Sequence, residues 1–267
     1  MGLWWPAMVY CYGFGRFGFC MNAFDGNQDT KRRAMHEAIM ARTGGQLHAW
    51  GHYWHPDIKG KCVGNVTGAI LHPYLKSGQI EQDLPTYWEP IMGIPSVVGE
   101  IMDVLFSGLS LHENRKIHQV WPEKILGVIR PGADLSQIPD ALAAYILQTP
   151  EWMAAYAGDS AGPQVGLMQA IMILRLNGID QEKRIKEFYY NHMHKLHRHQ
   201  MEVKRNTENA VRASLHALCS FLMYNQKGSF AHFLRHAVEG SAAHKKETKA
   251  KRWVELSQIF LQMVEEC

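Results

Sequence analysis

The spacing of apolar and polar positions changes several times along the chain, and each change predicts an element. Residues 30–42 carry an amphipathic helical pattern, with Asp29 or Thr30 as cap and Gly44-Gly45 as stop. From about Pro85 the pattern becomes helical throughout. Pro95, Pro122, Pro139 and Pro150 each stand where the first turn of a helix would begin. Ser110-Leu111-His112-Glu113 reads as a capping box. The nearly unbroken apolar stretch 164–176 predicts a buried helix closed by Gly178. Residues 181–224, capped by Asp180, read as one very long helix of about 65 Å at about 1.5 Å per residue. Thr207 offers a second cap inside it. A heptad-like seam runs through Ile185, Tyr189, His192, Leu196, His199 and Val203. Gly228-Ser229 opens a helix to about Val238, and Ser241 caps a last one to about Glu265.

Two stretches lack this helical period. Residues 1–24 interleave Tyr12, Phe14 and Phe19 with Gly13, Gly15 and Gly18, which fits two strands turning near Gly15-Arg16. Residues 44–76, punctuated by Gly51, Pro56, Gly60, Gly64, Gly68 and Pro73, read as irregular or short-stranded. The expected fold is therefore mainly α. A small aromatic- and Gly-rich N-terminal module containing β structure (1–80) precedes a helical domain (81–267). That domain divides into an acidic helical array (81–178) and a basic bundle built on the long helix (179–267). No internal repeat of 20–50 residues is visible.

Charge adds to this picture. The 267 residues hold 28 Lys and Arg against 25 Asp and Glu, but unevenly. Residues 76–170 carry 5 basic and 11 acidic groups, whereas residues 171–267 carry 16 basic and 10 acidic groups together with eight of the 15 His. Such asymmetry points to a polyanionic partner for the C-terminal part. With 46% apolar residues the chain can bury a proper core, which excludes a disordered or collagen-like protein. No run of about 18 apolar residues occurs, so no helical membrane span is expected. The five Cys are odd in number and form no CxxC pair. Together with an N-terminus lacking a basic signal-peptide region, they predict free thiols and a cytoplasmic protein.

Candidate chemistry falls into a few constellations. His48, His52 and His55, with Cys62 beyond, have ligand types that suit zinc. Their order lacks the Glu of a metalloprotease motif, and Gly51 and Pro56 break a helix there. Trp50, Tyr53 and Trp54, interleaved with these His, are candidates for base stacking. His192, His194, His197 and His199 fall on two faces of a helix and do not converge. Glu100 and Asp103 are spaced to share a helical face, which suits either Mg²⁺ or a solvated acidic surface. Arg42-x5-His48 resembles HEPN-type ribonucleases in the spacing of its Arg and His alone, with Gly44-Gly45 between them. No P-loop, strand-helix GxGxxG or GxSxG elbow is present.

Basic positions predict the function. Lys31, Arg32 and Arg33 open a helix, where cations oppose the macrodipole unless a phosphate binds. Lys204, Arg205 and Arg212 decorate the long helix, and Arg235 lies on the next one. Lys245, Lys246, Lys249, Lys251 and Arg252 crowd the start of the last helix. Cationic helical faces contact phosphates without reading sequence. These positions predict a non-enzymatic subunit of a nucleoprotein assembly that binds RNA, DNA or both. An RNA-guided effector subunit and a filament-type nucleoprotein both fit, with other protein subunits as partners and no cofactor. The alternatives are a helical protein–protein adaptor and a metal-dependent nuclease or other hydrolase using zinc at the 48–55 His cluster.

Overall fold

The computed structural model of the chain describes residues 23–49, 55–56, 62–80, 84–110, 114–157, 207–224, 226–243 and 245–267. These residues are mainly helical. In chain order they give α1 (Gln28–Thr43), β1 (His55–Pro56), β2 (Cys62–Val63), α2 (Val66–Lys76), α3 (Trp88–Met92), α4 (Ser96–Gly108) and α5 (Arg115–Val128). There follow α6 (Ile138–Gln148), α7 (Pro150–Ala157), α8 (Thr207–Tyr224), α9 (Ser229–Ala242) and α10 (Lys246–Glu266). Short 3₁₀ turns precede α1 and α3. The two strands pair antiparallel over two residues each, and Leu47 bridges Gly64 beside them. The Gly- and aromatic-rich segment 1–22, the helix expected over 164–176, the seam and the 181–206 part of the long helix lie outside the described residues.

Helix α4 is the hub, because α2, α3, α5, α6, α9 and α10 all pack on it. Its sequence explains this position. Val98, Ile101, Met102, Val104, Leu105 and Phe106 bury nearly all of its circumference, as expected of a helix with no solvent side. Gly99 and Gly108 leave notches for two indoles, those of Trp88 and Trp253. The core continues from Phe24 and Ala34 through Trp121 and Leu142 to Phe260 and Val264 as one cluster. Three of its largest members are wholly buried indoles, and each finds an acceptor for its N–H. Trp88 Nε1 donates to Thr67 Oγ1 (2.8 Å), Trp121 Nε1 to the Met102 carbonyl (3.3 Å) and Trp152 Nε1 to Glu255 Oε1 (2.7 Å).

Several boundaries differ from the sequence pattern, each for a physical reason. The cap of α1 is Asn27, whose side chain accepts from the Asp29 N–H, so the helix starts two residues before Thr30. Residues 66–76 form a helix although Gly68 and Pro73 punctuate them. Asn65 caps it, and burial of Val66, Ile70, Leu71 and Tyr74 outweighs the cost of an interior Pro, about 3 kcal/mol. Pro122 lies inside α5 rather than at its start, with Trp121 and Ile125 anchoring the helix on either side. Helix α5 itself begins at Arg115, and residues 111–113 of the expected capping box lie outside the described residues. Ser241 does not cap the last helix. It lies inside α9, its hydroxyl donating to the Val238 carbonyl (3.2 Å), and α10 starts at Lys246. Pro95, Pro139 and Pro150 do mark helix starts, and Gly228 precedes α9 in a left-handed conformation (φ 77°).

Candidate nucleic-acid interface

The basic turn on α1 is held by the protein itself. Lys31 lies against the C-terminal end of α5, where its Nζ donates to the carbonyls of Gly127 (2.9 Å) and Ile129 (2.6 Å). A cation at the last carbonyls of a helix complements its dipole, so the unfavourable position on α1 is offset by a favourable one on α5. Burial lowers the Lys31 ammonium from its ordinary value. The Arg33 guanidinium stacks 4.0 Å from the centroid of the Tyr74 ring. Arg32 pairs with Asp29 at 2.9 Å, both highly exposed.

Arg42, the other partner in the HEPN-like spacing, forms a two-pronged pair with Glu123, one contact being Nη2 to Oε2 at 3.2 Å. It ties α1 to α5. His48 follows the helix stop and is exposed. His52, Trp50, Tyr53 and Trp54 lie outside the described residues, as does the side chain of His55. Among the described residues no group of three or more His, Cys, Asp or Glu converges as a metal site.

The acidic pair on α4 has a structural use. Asp103 receives the Thr67 backbone N–H at Oδ1 (3.0 Å) and the Thr67 hydroxyl at Oδ2. Thr67 is the second residue of α2, so a carboxylate from α4 caps the N-terminus of α2. One turn away, Glu100 accepts the Gly228 N–H at 3.0 and 3.1 Å, just before α9. One face of α4 thus anchors two helix N-termini. Desolvation pushes Asp103 up to about 7, opposed by the Thr67 hydrogen bonds. Burial likewise raises Glu100, opposed by the Gly228 N–H and Lys227.

Arg252 is locked into a second polar cluster. Its Nη1 meets Glu255 Oε2 (2.7 Å), its Nη2 donates to the Glu151 carbonyl (3.2 Å), and its guanidinium lies 5.0 Å from the Trp152 ring. The Tyr145 hydroxyl donates to Glu255 Oε1 at 2.7 Å. Burial pushes the Glu255 carboxyl up, but the donors from Tyr145, Trp152 and Arg252 outweigh it and hold it below its ordinary value.

Most of the other candidate cations among the described residues lie on α9 and at the start of α10. Ala243, left-handed at φ 44°, ends α9, and α10 begins three residues later. Lys245 and Lys246 are exposed at this turn, and Arg235 is exposed in the middle of α9. Lys249 reaches Glu239 of α9 at 4.0 Å, and Lys251 pairs with Glu247 at 2.8 Å on an exposed face. Such surface pairs are weak and screened by salt, so they compete poorly with a phosphate. Arg212 stands on α8 with its side chain outside the described set, and Lys204 and Arg205 lie outside it altogether. The same α9 face carries His232 and His236, one turn apart, a pair the charge pattern alone passes over. Helical spacing after Gly228-Ser229 would have revealed it.

No known protein family, characterised protein or solved structure matches the chain. No helix among the described residues is long and apolar enough to cross a membrane.

Proposed function

We propose that this protein is a non-enzymatic nucleic-acid-binding subunit of a larger nucleoprotein assembly. Its phosphate-binding surface includes the α9–α10 corner. The observation that supports this reading is the exposure of Lys245 and Lys246 at that corner and of Arg235 further back on α9, with Lys249 and Lys251 held by surface pairs. Lys31, Arg33 and Arg252, in contrast, are taken up by carbonyls, a ring face and a carboxylate. An RNA-guided effector complex and a filament-type nucleoprotein are the two assemblies that fit. The test is binding of nuclease-treated protein to labelled single-stranded RNA and duplex DNA across a salt series. Binding should weaken steeply with salt. The triple variant Arg235→Glu, Lys245→Glu, Lys246→Glu should flatten the duplex slope by up to about 3 units, near 0.9 for each phosphate that is no longer neutralised. Salt-insensitive binding, or a variant with unchanged affinity, would refute the proposal.

A helical protein–protein adaptor is the second reading. It is favoured by apolar side chains left exposed on two packed helices: Ile39 and Met40 on α1, and Val120 on α5. A stable hetero-oligomer lost on Met40→Glu, with no affinity for either nucleic acid, would select it.

A further inference from the structure

We propose that His232 and His236 form a two-imidazole site on α9 for a divalent transition-metal ion such as Zn²⁺ or Ni²⁺. The residues are one helical turn apart, and their rings lie nearly parallel, 19° between planes, with centroids 6.3 Å apart. Two imidazoles sharing one tetrahedral ion, each nitrogen about 2.0–2.1 Å from the metal, place their centroids about 5 Å apart. Binding would therefore draw the two rings together by roughly 1 Å. His232 is exposed and His236 half-buried, so an ion reaches the pair from solvent. No described residue hydrogen-bonds to either ring, which leaves the ring nitrogens available.

A neutral imidazole offers the lone pair that a metal ion takes. Glu239, on the next turn, supplies a negative charge beside the site and shares it with Lys249 of α10. Two nitrogens and an open, water-accessible remainder suit a borderline transition metal. A hard ion such as Mg²⁺, which demands oxygen ligands, is not suited. This inference is independent of nucleic-acid binding, because the metal would be held by the two imidazoles and by neither a lysine nor a phosphate.

The test is NMR of the full chain labelled at histidine Cε1, titrated with ZnCl₂ at pH 7 and, separately, with MgCl₂. Spectra of His232→Gln and His236→Gln assign the two signals. The expected result is that both signals move with one shared Zn²⁺ midpoint and neither moves with Mg²⁺. In His232→Gln, the His236 signal should need at least tenfold more Zn²⁺. A response of one ring alone, or a His236 midpoint unchanged in His232→Gln, would overturn the site.

Discussion

Adding one methyl group at Gly108 tests whether α4 and α10 meet as described. A Cβ there would stand 2.1 Å from Cδ2 and 2.5 Å from Cε2 and Cε3 of Trp253. Carbon atoms approach comfortably to about 3.5 Å, so the indole or the helix must shift by more than about 1 Å. Trp253 is only 4% exposed and has little room to move. Overpacking of this kind costs about 1–3 kcal/mol, and a clash with three rigid ring atoms belongs near the upper end. The intrinsic helix preference of Ala over Gly returns at most about 1 kcal/mol. Gly108→Ala should therefore lose about 2 kcal/mol net. Gly127 near the end of α5 is the matched control, because nothing lies within 4 Å of its added Cβ. Gly127→Ala should gain up to about 1 kcal/mol. Urea unfolding followed by helical circular dichroism reads both, with unchanged denaturant slopes showing that stability alone has moved. A Gly108→Ala protein as stable as the parent, or a loss at Gly127→Ala, would refute the packing argument.

Two further outcomes follow from the buried polar groups. Asp103 titrates near 7 in the fold against the usual 3.8, so the folded chain holds its proton more tightly than the unfolded one. Its contribution to stability is therefore complete below about pH 3.8 and is lost as pH rises towards 7. Relative to Asp103→Asn, the parent should lose stability steadily between about pH 4 and 7 and run parallel above that, and parallel urea midpoints throughout would sink the assignment. Lys31→Met removes two hydrogen bonds at the end of α5 and should cost about 1 kcal/mol while leaving RNA and DNA affinity unchanged. Weaker binding at unchanged stability would instead place Lys31 on the nucleic acid.

Local chemistry wrote many of the helix starts directly into the chain. Pro95, Pro139 and Pro150 fix their own φ and cost little at a helix start, so they are legible without a fold. Gly44-Gly45 after α1 and Gly228 before α9 are legible for the same reason, since their conformational freedom acts within one turn. Helix α2 was hidden because what supports it is burial, not propensity: Gly68 and Pro73 argue against it until α4 and the rest of the core cover Val66, Ile70 and Leu71.

The candidate site divides the same way. The spacing of Lys245, Lys249 and Arg252 is plain in the sequence, but not that Arg252 turns inward to Glu255 and Trp152 while Lys245 remains exposed. Nor does the i, i+3 spacing of Glu100 and Asp103 show that they cap helices whose N-termini lie 128 and 36 residues away. Periodicity and turn residues act over a few positions, so the chain alone states which segments coil and where they stop. Which cation meets a carbonyl, a ring face or open solvent is settled by groups far apart in sequence, once packing around α4 brings them within hydrogen-bonding reach.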